Sequence, residues 1–321
     1  MAEYDIIGDM KVPITQSELW HKLQEDLGEK SIIEQGRGFQ YLAIVKTTPM
    51  GNYLYCPYGP VAKDTDGFKW AIDSLIKKAR EHQAIFIRIE PINPDFTKTF
   101  PRNTQKTTDL NPKETWLLDL IGSDDELKAK LPPRLLRYYK NAEKKGITIE
   151  TSNEPNDIHY LLNLQKALAS KKGISTFSEK YLQTELAQPF ATLYLVKLGN
   201  AGRESAKAGN VIAAGLVFDD DTTRYNLQGA QSDEGRRLHA TGILTIQLIL
   251  DAKAKGLQTF DFWGIAPEDA PETHPWAGFT NFKKTFAGYQ EDHAGTYDIV
   301  LKRAKYKLYQ ALRKANRLRR H

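Results

Sequence analysis

The sequence predicts an α/β (α+β) protein built from two copies of one unit, and three observations lead there. Strands, a helix and one further buried strand appear in that order twice along the chain. The strand-like runs are short and apolar or alternating, whereas the helical runs carry apolar residues at three- and four-residue spacing. At 321 residues the chain is long for one core, so two domains are the natural division.

The elements follow in order. A first helix is expected to open at Thr15, where Glu18 completes a capping box, and to stop at Gly28. FQYLAIV (39–45) and NYLYC (52–56) read as strands, followed by a Tyr-Gly-Pro turn and a helix near Phe68–Gln83. That helix delivers AIFIRIEP, a buried strand ending at Glu90–Pro91. TWLLDL (115–120) is a further strand. In DDELKAKLPPRLLRYYKNAEKKG, Pro132 and Pro133 interrupt a helix that restarts at Pro133, since proline is tolerated in a first turn. Gly146 ends it, and ITIET opens the second unit.

Helices over Asn156–Lys172 and Ser178–Gln188 precede a second sheet of ATLYLVKLG (191–199), NVIAAGLVFDD (210–220) and TRYNLQGA (223–230). A helix near Gly235–Lys255 leads to the buried strand LQTFDFWGI (257–265). Polar AGRESAKAGN (201–210) reads as a hairpin loop, and TYDIVL (296–301) as a strand able to join either sheet.

Composition narrows the class. Hydrophobic residues at 40% and charged residues at 26% are those of a soluble globular protein. The one cysteine, Cys56, excludes an intrachain disulfide and points to a reducing compartment. No apolar run has spanning length, and MAEYDIIGDMKVP lacks a signal-peptide plan, so the chain reads as cytoplasmic. The net charge of +5 conceals nine Lys or Arg and no acid over Lys302–His321, which leaves −4 for the remainder. Leu301, Leu308 and Leu312, with Ala304 and Ala311, give this tail a helical apolar pattern. It is either a solvated terminal helix or a basic helix lying near anionic lipid headgroups or an RNA backbone.

Most familiar chemistries find no footing. The histidines show no H-x-x-x-H pair and a single cysteine builds no thiolate site, so no metal is expected. There is neither a Gly-x-Ser-x-Gly elbow nor a Gly-rich phosphate loop ending in Lys-Ser/Thr. RLHATG (237–242), between strand and helix, approximates the Arg/Gln-x-x-Gly-x-Gly/Ala loop with which N-acetyltransferase folds bind coenzyme A. Arg237 opens it, but Ala240 occupies the first glycine position, where close backbone approach to a phosphate is harder.

FTNFKKTFAG (279–288) is more pointed. Wound as a helix, Phe279, Phe282 and Phe286 form a narrow apolar stripe. Lys284 then points into water, while Lys283 sits on the rim of the buried face. A lysine there either snorkels or is held against something that requires a positive charge.

Taken together, LYCPYGP (54–60), FIRIEP (86–91), TWLLDL with its basic RYYKNAEKKG helix, DFWGIAPE (261–268), HPWAGFTNFKKTFAG and GTYDIVL resemble the FemABX peptidyltransferases. The resemblance covers nearly the whole chain, and DFWGI with the downstream FKK segment is its most specific part. It implies two tandem N-acetyltransferase-like (GNAT) units in a compact form without a long coiled-coil insertion. The first would span 1–146 and be completed by about 296–321; the second would span 147–295.

The resemblance further implies transfer of an amino acid from aminoacyl-tRNA, as co-substrate and with no cofactor, to a stem-peptide amine of a peptidoglycan precursor. Peripheral contact with the inner membrane surface is expected with it. The family's catalytic Phe-Lys pair falls on Phe282 and Lys283, its acidic residue at the end of the first unit's strand on Glu90, and a phosphate-contacting tyrosine on Tyr181. Its N-terminal lysine falls on Gln24, with Lys22 nearby on another helical face; its phosphate-binding arginine falls on Phe177 and a second tyrosine on Leu227. These losses favour a lipid-linked precursor over a UDP-linked one. Glu90, Asp261 or a substrate phosphate would take the amine's proton; Asp261 is equally suited to holding the Trp263-Gly264 turn. Two rivals stand beside this reading: an acyl-CoA-dependent N-acyltransferase using RLHATG, and a non-catalytic RNA- or membrane-binding module driven by the basic tail.

Overall fold

A computed structural model describes residues 10–172, 176–199 and 210–318. In chain order its elements are α1 (Glu18–Asp26), β1 (Lys30–Gly36), β2 (Phe39–Thr48), β3 (Gly51–Cys56), β4 (Val61–Ala62), α2 (Thr65–Glu81), β5 (Phe86–Ile89) and β6 (Thr104–Lys106). Then come β7 (Glu114–Asp119), α3 (Asp124–Lys130), α4 (Pro133–Lys140), β8 (Ile147–Ser152), α5 (Ile158–Lys172), α6 (Glu179–Leu186), β9 (Ala191–Leu198), β10 (Asn210–Asp219) and β11 (Thr223–Gln231). The last are α7 (Asp233–Arg237), α8 (Ala240–Ala254), β12 (Thr259–Gly264), α9 (Ala277–Lys283), β13 (Tyr289–Asp292), β14 (Tyr297–Val300) and α10 (Arg303–Leu318). The chain divides into Met1–Lys113 with Asp292–His321, and Glu114–Glu291.

In the first unit the sheet order is β1-β2-β3-β5-β14-β6, with β4 on β2. β3 and β5 run parallel, and the strand TYDIVL enters this sheet as β14, antiparallel to both β5 and β6. Asp64 caps α2 through its carboxylate, and Phe68, Ala71, Ile72, Leu75 and Ala79 form the helix's buried stripe. That stripe packs on Tyr41, Leu54, Ile87 and Ile299 of the sheet. Each fully buried side chain of this size contributes roughly 1.5–3 kcal/mol. The first helix begins later than its capping-box pattern suggests: Ser17 is the cap, accepting from the Trp20 amide. Thr15 is buried instead, donating its hydroxyl to the Pro57 carbonyl at 3.0 Å, so its oxygen serves the tertiary fold.

The second unit has sheet order β13-β7-β12-β11-β10-β9-β8. Its central helix α8 buries residues on nearly every side, among them Ala240, Ile243, Leu244, Ile246 and Ile249. The helix expected near Gly235–Lys255 is two helices, broken where His239 takes φ 58. Residues 114–146 sit with this unit, so the division falls at 113/114 and not at 146/147. β7 pairs with β12, and Leu135 of α4 fills the space beside Gly242 of α8, where an added Cβ would lie 2.6 Å from its Cδ2. The expected loop at 201–210 lies outside the described residues except for Asn210, which opens β10.

Candidate active site

The second unit's parallel strands part at a defined point. β11 and β12 pair from Thr223↔Thr259 to Tyr225↔Asp261, yet β11 runs on to Gln231 and β12 to Gly264. At the end of β12 the backbone bends sharply, with Trp263 at φ 65, a left-handed conformation uncommon for a bulky residue. The buried Asp261 carboxylate holds the bend: its Oδ1 accepts the Trp263 amide at 2.7 Å and the Thr115 hydroxyl at 2.6 Å.

The bend presents the Gly264 carbonyl to Lys283, whose Nζ donates to it at 2.6 Å. Lys283 ends α9, where a cation complements the helix dipole. α9 is itself pinned to the segment after β12, because Thr280 Oγ1 accepts the Ala266 amide at 2.8 Å. Burial pushes the half-buried Lys283 ammonium down to about 8, and the charge of Asp261 opposes that fall. Near neutral pH the group therefore remains largely an ammonium, with two N–H donors beyond the one on Gly264. The site is a cation held in place by one backbone carbonyl, in partly dry surroundings.

The helical stripe drawn through Phe279, Phe282 and Phe286 needs correction. α9 ends at Lys283, and Phe279 is 49% exposed. Phe286 lies beyond the helix, fully buried on Phe262 at 4.9 Å, and Phe282 stands edge-on to Phe286 at 5.5 Å. The chain turns early because Thr285 donates its hydroxyl to the Phe282 carbonyl, and because Gly288 passes where a Cβ would meet the Leu117 carbonyl at 2.0 Å. Lys284 is exposed, with its ammonium 5.6 Å from the Trp116 ring centre.

Lys283, Phe282 and Asp261 thus come together, with Thr115 as a partner that sequence reasoning missed. Glu90 belongs to the first unit and is buried; Oε2 accepts from Tyr55 Oη (2.9 Å) and Asn111 Nδ2 (2.7 Å), Oε1 from Thr296 Oγ1 (2.7 Å) and the Asn111 amide (3.3 Å). A carboxylate with four donors is committed to structure. Gln24 is buried on α1 of the same unit while Lys22 is exposed, as their different helical faces require.

In the second unit, Tyr181 on α6 stacks on Phe177 at 5.0 Å and hydrogen-bonds Glu185, one helical turn later. Burial raises the Tyr181 hydroxyl well above its ordinary range and pushes Glu185 up to about 8. Gln228 of β11 donates to Glu185 at 2.9 Å and accepts from Gln165 of α5 at 3.1 Å. Glu185 was legible, because it shares the inward face of α6 with Leu182 and Leu186.

Arg237 stands exposed at the end of α7. The RLHATG loop beyond it is already filled: Ala240 is fully buried, Gly242 admits Leu135, and His239 stacks on Tyr138 at 4.3 Å. Around that tyrosine, Arg134, Arg137 and Lys145 each lie 5.5–5.9 Å from the ring centre. Among the described residues no group of three or more His, Cys, Asp or Glu is placed to hold a metal ion.

Comparison with known proteins meets this geometry. The FemAB family model matches residues 183–314, a span that holds β11, β12, the Asp261 bend and Lys283. The crystal structure of FemX superposes with a TM-score of 0.76 at 18% identity, covering 92% of this chain and 94% of that one. The C-terminal domain (DUF2156) of a proposed lysylphosphatidylglycerol synthetase from Agrobacterium fabrum gives 0.58 at 13% identity, covering 93% of each chain. L-PGS from Bacillus licheniformis gives 0.57 at 14%, covering 91% and 94%. No curated protein matches the sequence. The resemblance read in the sequence is borne out by the FemAB family model over 183–314 and by the α/β fold shared with FemX.

Proposed function

We propose that this chain is an acyltransferase that moves an amino acid from aminoacyl-tRNA to the stem-peptide amine of a peptidoglycan precursor, a lipid-linked one in preference to a UDP-linked one. One observation carries the reading: the Lys283 ammonium, held on the Gly264 carbonyl at the bend where β11 and β12 have parted. A neutral amine attacks the ester carbonyl, forming the C–N bond; the C–O bond to the ribose breaks, the amine loses a proton and the ribose oxygen gains one. The oxyanion formed between these events needs a fixed cation, and the remaining N–H donors of Lys283 supply it. No covalent enzyme intermediate is required. Phe282 packs on the core and anchors the end of α9, and Asp261 acts through the bend rather than on the substrate.

The donor reading draws on the α4 surface. Three cations around the Tyr138–His239 stack suit a polyanion with exposed bases. The filled RLHATG loop gives the acyl-CoA reading little support. Tyr181, with its partners Glu185 and Gln228, is the proposed contact for the precursor's polar head.

The test is transfer of label from charged glycyl-, alanyl- and seryl-tRNA to lipid II, by wild type and Lys283→Ala, beside RNase-treated and acetyl-CoA reactions. RNase-sensitive labelling that the variant loses is expected. Turnover of acetyl-CoA alone would sink the proposal.

A further inference from the structure

A second built site lies in the first unit, on the face of its sheet away from α2. Strand alternation sends Ile87 and Ile299 toward α2, and Phe86, Arg88 and Asp298 to the opposite face, where α10 covers part of them. Between α10 and the β2–β3 turn is a cavity of about 950 Å³, at the upper end of the roughly 300–1,000 Å³ common for ligand sites. Met50, Tyr309 and Leu312 give it apolar walls, and Arg88, Arg313 and Lys314 give it positive charge.

The charge in this cavity is unbalanced. Asp298 is its one carboxylate among the lining residues, and it is already spent: Arg88 Nε and Nη2 bond its two oxygens at 2.7 and 2.8 Å, and Tyr306 Oη donates at 2.8 Å. Arg88 is 2% exposed, and its remaining terminal nitrogen, Nη1, makes no hydrogen bond among the described residues. Among the described residues Arg313 reaches only the Thr107 hydroxyl, at 3.5 Å, and Lys314 is exposed. An anion fits these three cations, and the walls fit an apolar body attached to it.

The outer face of α10 indicates where such a ligand resides. Its inner face is aromatic, with Tyr306 buried against Phe86 at 5.2 Å. On the outside Leu308, and at the cavity's rim Leu312, sit one turn apart and are 51% and 39% exposed, with Ala304 and Ala311 also exposed beside them. Lys305 and Lys307 flank this stripe, and the helix carries no acid. An apolar stripe between basic residues is the plan of a helix lying in a membrane interface. An RNA backbone has no use for exposed leucines or for a half-apolar cavity.

We propose that α10 rests on an anionic membrane surface, with Leu308 and Leu312 at the acyl boundary and the cavity beneath it taking the phosphate of an anionic phospholipid. This does not rest on the aminoacyl-transfer reading, and its test needs no activity. The full chain is floated with phosphatidylcholine vesicles with and without phosphatidylglycerol; soluble glycerol phosphate and bulk tRNA serve as separate arms. Binding to the phosphatidylglycerol vesicles alone is expected. Leu308→Glu/Leu312→Glu and Arg313→Glu/Lys314→Glu should each weaken it by at least about tenfold. The leucine variant changes exposed positions only, and melting curves confirm its fold if charge reversal disturbs the other. Equal binding to neutral vesicles, or indifference to both variants, overturns the proposal. Binding of glycerol phosphate or of tRNA without binding of vesicles overturns it as well, in favour of a soluble phosphate or a nucleic acid.

Discussion

The two units share a plan and treat charge in opposite ways where their parallel strand pairs end. Each has a parallel pair joined through a helix, β3–α2–β5 and β11–α8–β12, with an antiparallel strand laid on the far side of the second member, β14 and β7. In the first unit the pairing holds to the strand ends at Cys56↔Ile89, and the next residue, Glu90, is saturated by four donors. In the second unit the pairing stops early, the backbone is strained at Trp263, and a lysine is held there by one carbonyl. A strand end that stores strain and a depressed lysine is suited to chemistry, and one whose carboxylate is saturated is suited to support.

The sharpest test of the supporting role is Arg88→Met. It leaves Asp298 of β14 buried without its bidentate partner on β5. A loss of about 3–5 kcal/mol in unfolding free energy is expected by chemical denaturation. A loss below 1 kcal/mol, on the order of a surface pair, would break the comparison. The chemical role is tested by Lys283→Ala, which should lower kcat/KM for transfer by about 100- to 1,000-fold, roughly 3–4 kcal/mol in the barrier. Substrate binding should change little, so KM measured beside kcat separates this role from simple docking.

Much of this contrast was legible in the sequence. The repeated strand–helix–strand order and the helix near Phe68–Gln83 follow from local periodicity. Lys283 is half-buried as its helical position suggests, although the three-phenylalanine stripe used to place it does not form. Misreadings arose where a polar side chain was taken by a distant partner. Thr15 looked like a cap but bonds Pro57, and residues 114–146 looked like the end of the first unit, but their strand β7 pairs with β12. The end of α9 was hidden because its cause, the passage of Gly288 over Leu117, lies in another strand. The acidic groups were hardest: neither the saturation of Glu90 by Tyr55, Asn111 and Thr296 nor the hold of Asp261 on Thr115 has any local signature.

Glu90 supplies the next test. In Glu90→Gln one oxygen that accepts two hydrogen bonds becomes an amide donor facing those same donors. A loss of about 1–3 kcal/mol in stability is expected by thermal or urea unfolding, with transfer by the folded fraction retained. If transfer collapses while stability holds, Glu90 is the proton acceptor and the first unit shares in the chemistry.

The smallest effect probes Lys283 through stability. Its folded-state value is about 8, against 10.5 ordinarily, so folding disfavours the ammonium. Below pH 8 both folded and unfolded chains carry the proton and the full cost is present. Between 8 and 10.5 the folded chain releases it while the unfolded chain keeps it, so stability rises with pH across that window. Lys283→Met removes the cost, and should therefore raise neutral-pH stability by about 1–2 kcal/mol, reduced for a half-buried group, while abolishing transfer. The gap between wild type and variant, read from urea midpoints, should close as pH is taken from 7 to 10. A gap that is constant with pH would place Lys283 at an ordinary lysine value, and the end of β12 would then be as inert as the end of β5.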